Sequence, residues 1–137
     1  MSRRHLARAV IVALAAAALA GCADGGPKRY SVSGAVTLGG RPVPAGEVVF
    51  EPDSAKGNSG PGSVVRIKDG RYQTEPGLGV VGGAYIVRIT PMSGTAFGDS
   101  LDGKPLLPGP RVEAVEFPAA DSSRDFDVPA AGQNRPG

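Results

Sequence analysis

Tyr30-Ser31-Val32-Ser33-Gly34-Ala35-Val36-Thr37-Leu38 sets Val32, Gly34, Val36 and Leu38 on one side of an extended chain and Ser31, Ser33, Ala35 and Thr37 on the other. A period of two marks a half-buried β-strand, because successive side chains of a strand point to opposite faces. Gly39-Gly40-Arg41-Pro42 follows as a tight turn whose glycine pair tolerates positive φ, and Gly46-Glu47-Val48-Val49-Phe50 reads as a second strand stopped by Pro52.

The same punctuation continues downstream. Asp53 to Gly62 is polar and rich in turn residues, and reads as a mobile loop with nothing to bury. Ser63-Val64-Val65-Arg66-Ile67, the Lys68-Asp69-Gly70 turn and Arg71-Tyr72-Gln73-Thr74 form the clearest hairpin in the chain. Ala84 to Thr90 carries Tyr85, Val87 and Ile89 on one side and is expected to end at Pro91. After a long loop of turn-forming composition from Met92 to Pro110, Val112 to Phe117 and Arg124 to Val128 are the last two strands. Helices are disfavoured throughout, since the chain holds 21 Gly and 13 Pro, which cost about 1 and about 3 kcal/mol in a helix interior relative to Ala. Seven short strands without helical period predict an all-β fold, an antiparallel β-sandwich of two sheets.

Upstream of the first strand the composition changes. Arg3, Arg4 and Arg8 precede Ala9 to Ala20, an uncharged run of 12 residues that is shorter than the about 20 needed to cross a bilayer. A basic head followed by a short apolar run reads as a secretory signal. Leu19-Ala20-Gly21-Cys22 places the single cysteine at its end. This arrangement resembles a bacterial lipobox. The resemblance implies cleavage between Gly21 and Cys22, acylation of the Cys22 sulfur, and a mature chain that begins at Cys22. Residues 1–21 would then be signal, 22–29 a flexible tether, 30–128 the sandwich and 129–137 a flexible tail. Two or more acyl chains suffice for stable anchoring, so the expected partner is a membrane, the cell membrane or the outer membrane, with the domain facing the periplasm or the exterior. Ser2-Arg3-Arg4-His5-Leu6 also resembles the start of a twin-arginine signal, and the export route stays open between the two.

Without residues 1–21 the chain keeps 12 of its 15 Lys and Arg and all 13 Asp and Glu, a net charge of −1. A domain near neutrality has no field with which to attract nucleic acid, and none is expected as a partner. The single histidine, His5, departs with the signal, and Cys22 is consumed by lipid. The mature chain therefore lacks imidazole and free thiol. Zinc or copper sites built on those groups, Ser-His-Asp and Cys-His constellations and disulfides are all excluded within one chain.

Val32 to Pro44, Val48-Val49-Phe50-Glu51-Pro52, Lys68-Asp69-Gly70-Arg71-Tyr72 and Gly83 to Ile89 together resemble the carboxypeptidase-regulatory-like, or transthyretin-like, β-sandwich domains. Small lipoproteins of this pattern are familiar from planctomycete-type bacteria. The resemblance covers residues 30–128 and implies an Ig-like or transthyretin-like sandwich; it specifies a fold far better than a function. Related hydroxyisourate hydrolases depend on histidines, which the mature chain lacks, so that activity is set aside.

Within this frame Gly34 leaves room for a facing side chain or a bulge, Gly70 takes the left-handed position of its turn, and Gly83 lets the next strand start sharply. Tyr72 and Tyr85 are expected to pack their rings in the core with hydroxyls at its edge. Asp99 and Asp102 offer carboxylates beside Gly98 and Gly103, but their spacing lacks an EF-hand pattern, and no metal or cofactor is expected. Asp125 and Asp127 flank Phe126 and read as a solvated strand face. The expected function is a non-enzymatic interaction or structural role at the cell envelope, with an unidentified envelope protein or glycan as partner. The alternatives are a binding module for glycans or small molecules, which needs Tyr30, Tyr72 or Tyr85 exposed beside a concavity, an enzyme built on converging carboxylates such as Asp99 or Asp125, and a dimeric carrier.

Overall fold

The computed structural model describes residues 26–132; Gly21, Cys22, the expected signal, the start of the tether and the end of the tail lie outside the described residues. Nine strands follow one another: β1 (Val32–Leu38), β2 (Arg41–Pro42), β3 (Ala45–Pro52), β4 (Ser63–Lys68), β5 (Arg71–Gln73), β6 (Gly83–Met92), β7 (Arg111–Phe117), β8 (Ser122–Ser123) and β9 (Phe126–Val128). All seven strands expected from periodicity are present, and β2 and β8 are two-residue additions. The sheet runs β2-β1-β5-β4-β3-β6-β7 and curls into a sandwich-like fold, with β8 and β9 attached to β1.

One wall is β1 with its neighbours and the other is β4-β3-β6-β7, and their inward residues form a single core. Val32 and Val36 of β1, Tyr72 of β5 and Phe126 and Val128 of β9 meet Val48, Phe50, Ile67, Tyr85, Val87 and Ile89 from the opposite wall. A chain of rings crosses the interior, from Tyr85 to Phe117, to Phe50, to Tyr72, to Phe126, with neighbouring centroids 5.6 to 6.0 Å apart, within the range where tilted and edge-on pairs are favourable. Phe97 alone of the four phenylalanines is exposed.

Two turns fix the register of their hairpins in the same way. Gly39 and Gly40 have φ of 57° and 82°, and Asp69 and Gly70 have φ of 50° and 77°. Positive φ at both central residues is the two-residue turn whose twist matches that of the strands. Gly83, with φ of 89°, opens β6 as expected.

Three features differ from the sequence reading. First, β8 and β9 pair with β1 in parallel, not antiparallel, through Val32↔Ser122 and Val36↔Phe126. Alternation is identical in the two directions; the direction here follows from β7 ending beside Gly83, at the same end of the sandwich where β1 begins. Second, β6 runs through Pro91 to Met92. The Pro91 carbonyl accepts from Leu106 N at 2.9 Å, so its nitrogen faces that loop too and no bond to β3 is lost. Third, residues 53–62 are tied down. Asp53 caps a 3-10 turn over Ser54–Lys56, and Asn58 Nδ2 donates to the carbonyls of Gly82 at 3.2 Å and Ala84 at 2.8 Å.

Candidate functional site

The residues singled out from sequence divide into core, strap and loop. Tyr72 and Tyr85 are 3% and 1% exposed. The Tyr72 hydroxyl donates to the Arg124 carbonyl at 2.6 Å, and the Tyr85 hydroxyl accepts from Val81 N at 2.9 Å. Both are packing residues with an edge hydrogen bond, as expected. Tyr30 is half-buried beneath the Lys28 ammonium, 5.4 Å from the ring centroid.

Burial pushes the Tyr72 phenol well above its ordinary value, with the Asp125 carboxylate adding to the rise and the Arg124 guanidinium opposing it. A folded-state value above the unfolded one means that the contribution is complete below about pH 10 and is lost as pH rises toward the folded value. Tyr72→Phe is therefore expected to flatten the alkaline fall in the urea midpoint measured from about pH 9 to about pH 11.5. An unchanged fall would place the responsible group elsewhere.

The aspartates of the C-terminal segment do not converge on a pocket. Asp121 accepts from Ser31 N and Asp125 from Ala35 N, each at 2.8 Å, while the Thr37 hydroxyl donates to Asp127. These three carboxylates therefore strap residues 121–127 along β1, which the solvated-face reading had not foreseen. Asp102 pairs with Arg66 of β4, and the long β6–β7 loop is braced by Ser93 N to Lys104 O and Gly94 N to Asp102 O. Asp99 is exposed in the tight Phe97–Ser100 turn. Among the described residues no group of three or more His, Cys, Asp or Glu is arranged to hold a metal ion.

A concavity lies where the sandwich opens. β4 pairs with β3 along its whole length, from Phe50↔Ser63 to Ala45↔Lys68. On its other side β4 meets β5 only at Lys68↔Arg71. β5 is drawn to β1 instead, through Ser33↔Gln73 and Ala35↔Arg71, and the Tyr72 hydroxyl bond to Arg124 holds it there. The strands therefore diverge from the Asp69-Gly70 turn and leave a groove of about 640 Å³ between them. At the other end the Ser63 hydroxyl donates to Leu78 O, and Arg29 closes the corner with bonds to the carbonyls of Gly79, Gly62 and Leu78 at 2.9, 2.7 and 3.0 Å.

Comparison with known proteins yields no matching family model, no matching curated protein and no matching solved structure. The groove itself must supply the chemistry.

Its lining is graded along its length. Val64 and Leu78, 64% and 51% exposed, lie toward the Arg29 corner, and Arg66, Lys68 and Arg71 lie toward the turn. Glu75 is the one carboxylate among the lining residues. Such a surface has an apolar end, a cationic end and the unpaired backbone edge of β4 between them. It suits binding more than acid–base chemistry, which needs convergent titratable groups. Alternation already places Arg66 and Lys68 on the outward side of their strand, but the single-pair contact between β4 and β5 leaves no local signature.

Proposed function

We propose that this chain is a lipid-anchored extracytoplasmic β-sandwich module with a non-catalytic interaction or structural role at the cell envelope, of the transthyretin-like lipoprotein kind. The observation that carries the reading is Leu19-Ala20-Gly21-Cys22 at the end of a short apolar run behind three arginines. The geometry of chain entry supports it. Arg29 is fixed by three hydrogen bonds at one end of the sandwich, and the stretch from Cys22 to Arg29 spans at most about 25 Å. An acylated Cys22 would hold that end against a membrane. The β6–β7 loop leaves from Met92, at the opposite end of β6 from Gly83, and would face away with Phe97 and Leu101 exposed, at 59% and 85%. No helix among the described residues is long and apolar enough to cross a membrane.

Glycan binding finds less support, because the rings of Tyr72 and Tyr85 are buried and offer no stacking face.

Cys22→Ser is expected to abolish incorporation of labelled palmitate and to move the protein from the membrane pellet to the soluble fraction, since a lone apolar segment lacks the two-chain affinity of a lipoprotein anchor. Undiminished membrane retention of the unlabelled variant would overturn the anchor.

A further inference from the structure

We propose that the groove between β4 and β5 takes up an extended acidic peptide segment, which adds as a strand to the free edge of β4. The proposal rests on the interaction role argued above and names the kind of partner.

Three observations converge on it. The edge is available, because β4 has a backbone partner on the β5 side only at Lys68, and among the described residues Ser63 to Ile67 make no main-chain hydrogen bond there. An open strand edge is a template for another strand. The edge is also wide open, since β5 is held on the opposite wall and a groove of about 640 Å³ separates the two. Lastly, its charge is predominantly positive: against the single lining carboxylate of Glu75, Lys68 and Arg71 form no ion pair among the described residues, and Arg66 is only partly neutralised by Asp102, its side chain remaining 63% exposed.

The register dictates the sequence of the guest. Val64, Arg66 and Lys68 project from one face of β4, so an added strand presents to them every second side chain. Opposite charges directly across a pair of strands are favourable and like charges are not. The guest therefore carries an apolar residue opposite Val64, beside Leu78, Asp or Glu opposite Arg66, and a second Asp or Glu just past the free edge, where Arg71 already pairs with Lys68 and both cations line the groove. The same cations that deter basic or neutral edges from pairing here select an acidic one.

The test uses the full chain in detergent micelles and a fluorescein-labelled hexapeptide, Val-Thr-Glu-Thr-Glu-Thr. Saturable binding is expected, weakened at least about tenfold by the double variant Lys68→Glu with Arg71→Glu, by Lys in place of Glu in the peptide, and by raising salt. Thermal melting checks that the double variant, altered only at exposed positions, remains folded. Hydrogen exchange of the seam-facing amides between Ser63 and Ile67 is expected to slow on binding by at least about tenfold. Peptides N-methylated at alternate amides, in both phases, keep their charge but cannot complete a strand, and are expected not to bind.

Absence of binding at millimolar peptide overturns the proposal. Equal binding by the N-methylated peptides or by an alginate oligomer reduces the groove to a charged surface and overturns it too. Self-association that the double variant abolishes would make the occupant a second copy, which equally refutes the peptide assignment. Lipid labelling at Cys22 is scored separately, so failure of the anchor leaves peptide binding intact, and failure of peptide binding leaves the anchor intact.

Discussion

Gly34→Ala is expected to destabilise the fold by about 3 kcal/mol, although it adds only one methyl group. At an ordinary strand position the change would be neutral or mildly stabilising, because Gly loses the most backbone freedom on folding. Here a Cβ would stand 2.0 Å from the Arg124 carbonyl oxygen and 2.6 Å from its carbon. Both contacts are with backbone, so no side-chain rotation relieves them. The strap carrying β8 and β9 must move away from β1. That movement puts at risk the Tyr72 hydroxyl bond to Arg124 O, the Asp125 bond to Ala35 N and the bond from Arg124 N to Ser33 O, each worth about 1 kcal/mol net. The check is the urea midpoint of Gly34→Ala alone and combined with Tyr72→Phe. The pair is expected to cost less than the sum of the singles, because the first change already disturbs the bond that the second removes. A Gly34→Ala protein as stable as the parent would show that the strap does not lie against β1.

Phe50→Ala is expected to cost about 4 kcal/mol, toward the middle of the range for emptying a large buried aromatic site. The ring is fully buried and stands at the middle of the aromatic chain, edge-on to Phe117 at 5.6 Å and tilted to Tyr72 at 6.0 Å. It thereby joins β3 and β7 of one wall to β5 of the other. Truncation removes apolar burial and leaves a void that strands bonded on both sides of β3 cannot close, since β3 pairs with both β4 and β6. Phe50→Leu, which refills most of the space, is expected to cost less than half as much. Typical domains are stable by about 5–15 kcal/mol, so calorimetry should find the Ala variant melting far below the Leu variant. Equal melting temperatures would mean that the two walls are not joined through this ring.

The aspartates show why the chemistry of the surface was harder to read than the fold. Asp125 and Asp127 flank Phe126, and alternation places them on the outer side of β9, where they are exposed. Alternation alone suggests solvated charges. Their actual task, binding Ala35 N and Thr37 Oγ1, depends on β9 lying beside β1, and that pairing joins residues 90 positions apart. The groove was hidden for the same reason. The composition of Ser63 to Thr74 announces a hairpin, and its turn is present, yet the two arms separate after one residue pair because each is claimed by a different neighbour.

Local pattern by itself determined the all-β class, the seven main strands, their inward faces and the two hairpin turns with positive φ. Those properties depend on side-chain period and on backbone sterics within a few residues. Only the tertiary structure decided that β9 runs parallel to β1, that Pro91 remains inside β6, that Gly34 faces a carbonyl rather than a side chain, and that β4 keeps an open basic edge. Each of these is set by which distant strand arrives as a neighbour. Strand alternation says which side of a strand is apolar, but it carries no information about what lies beside it in the sheet.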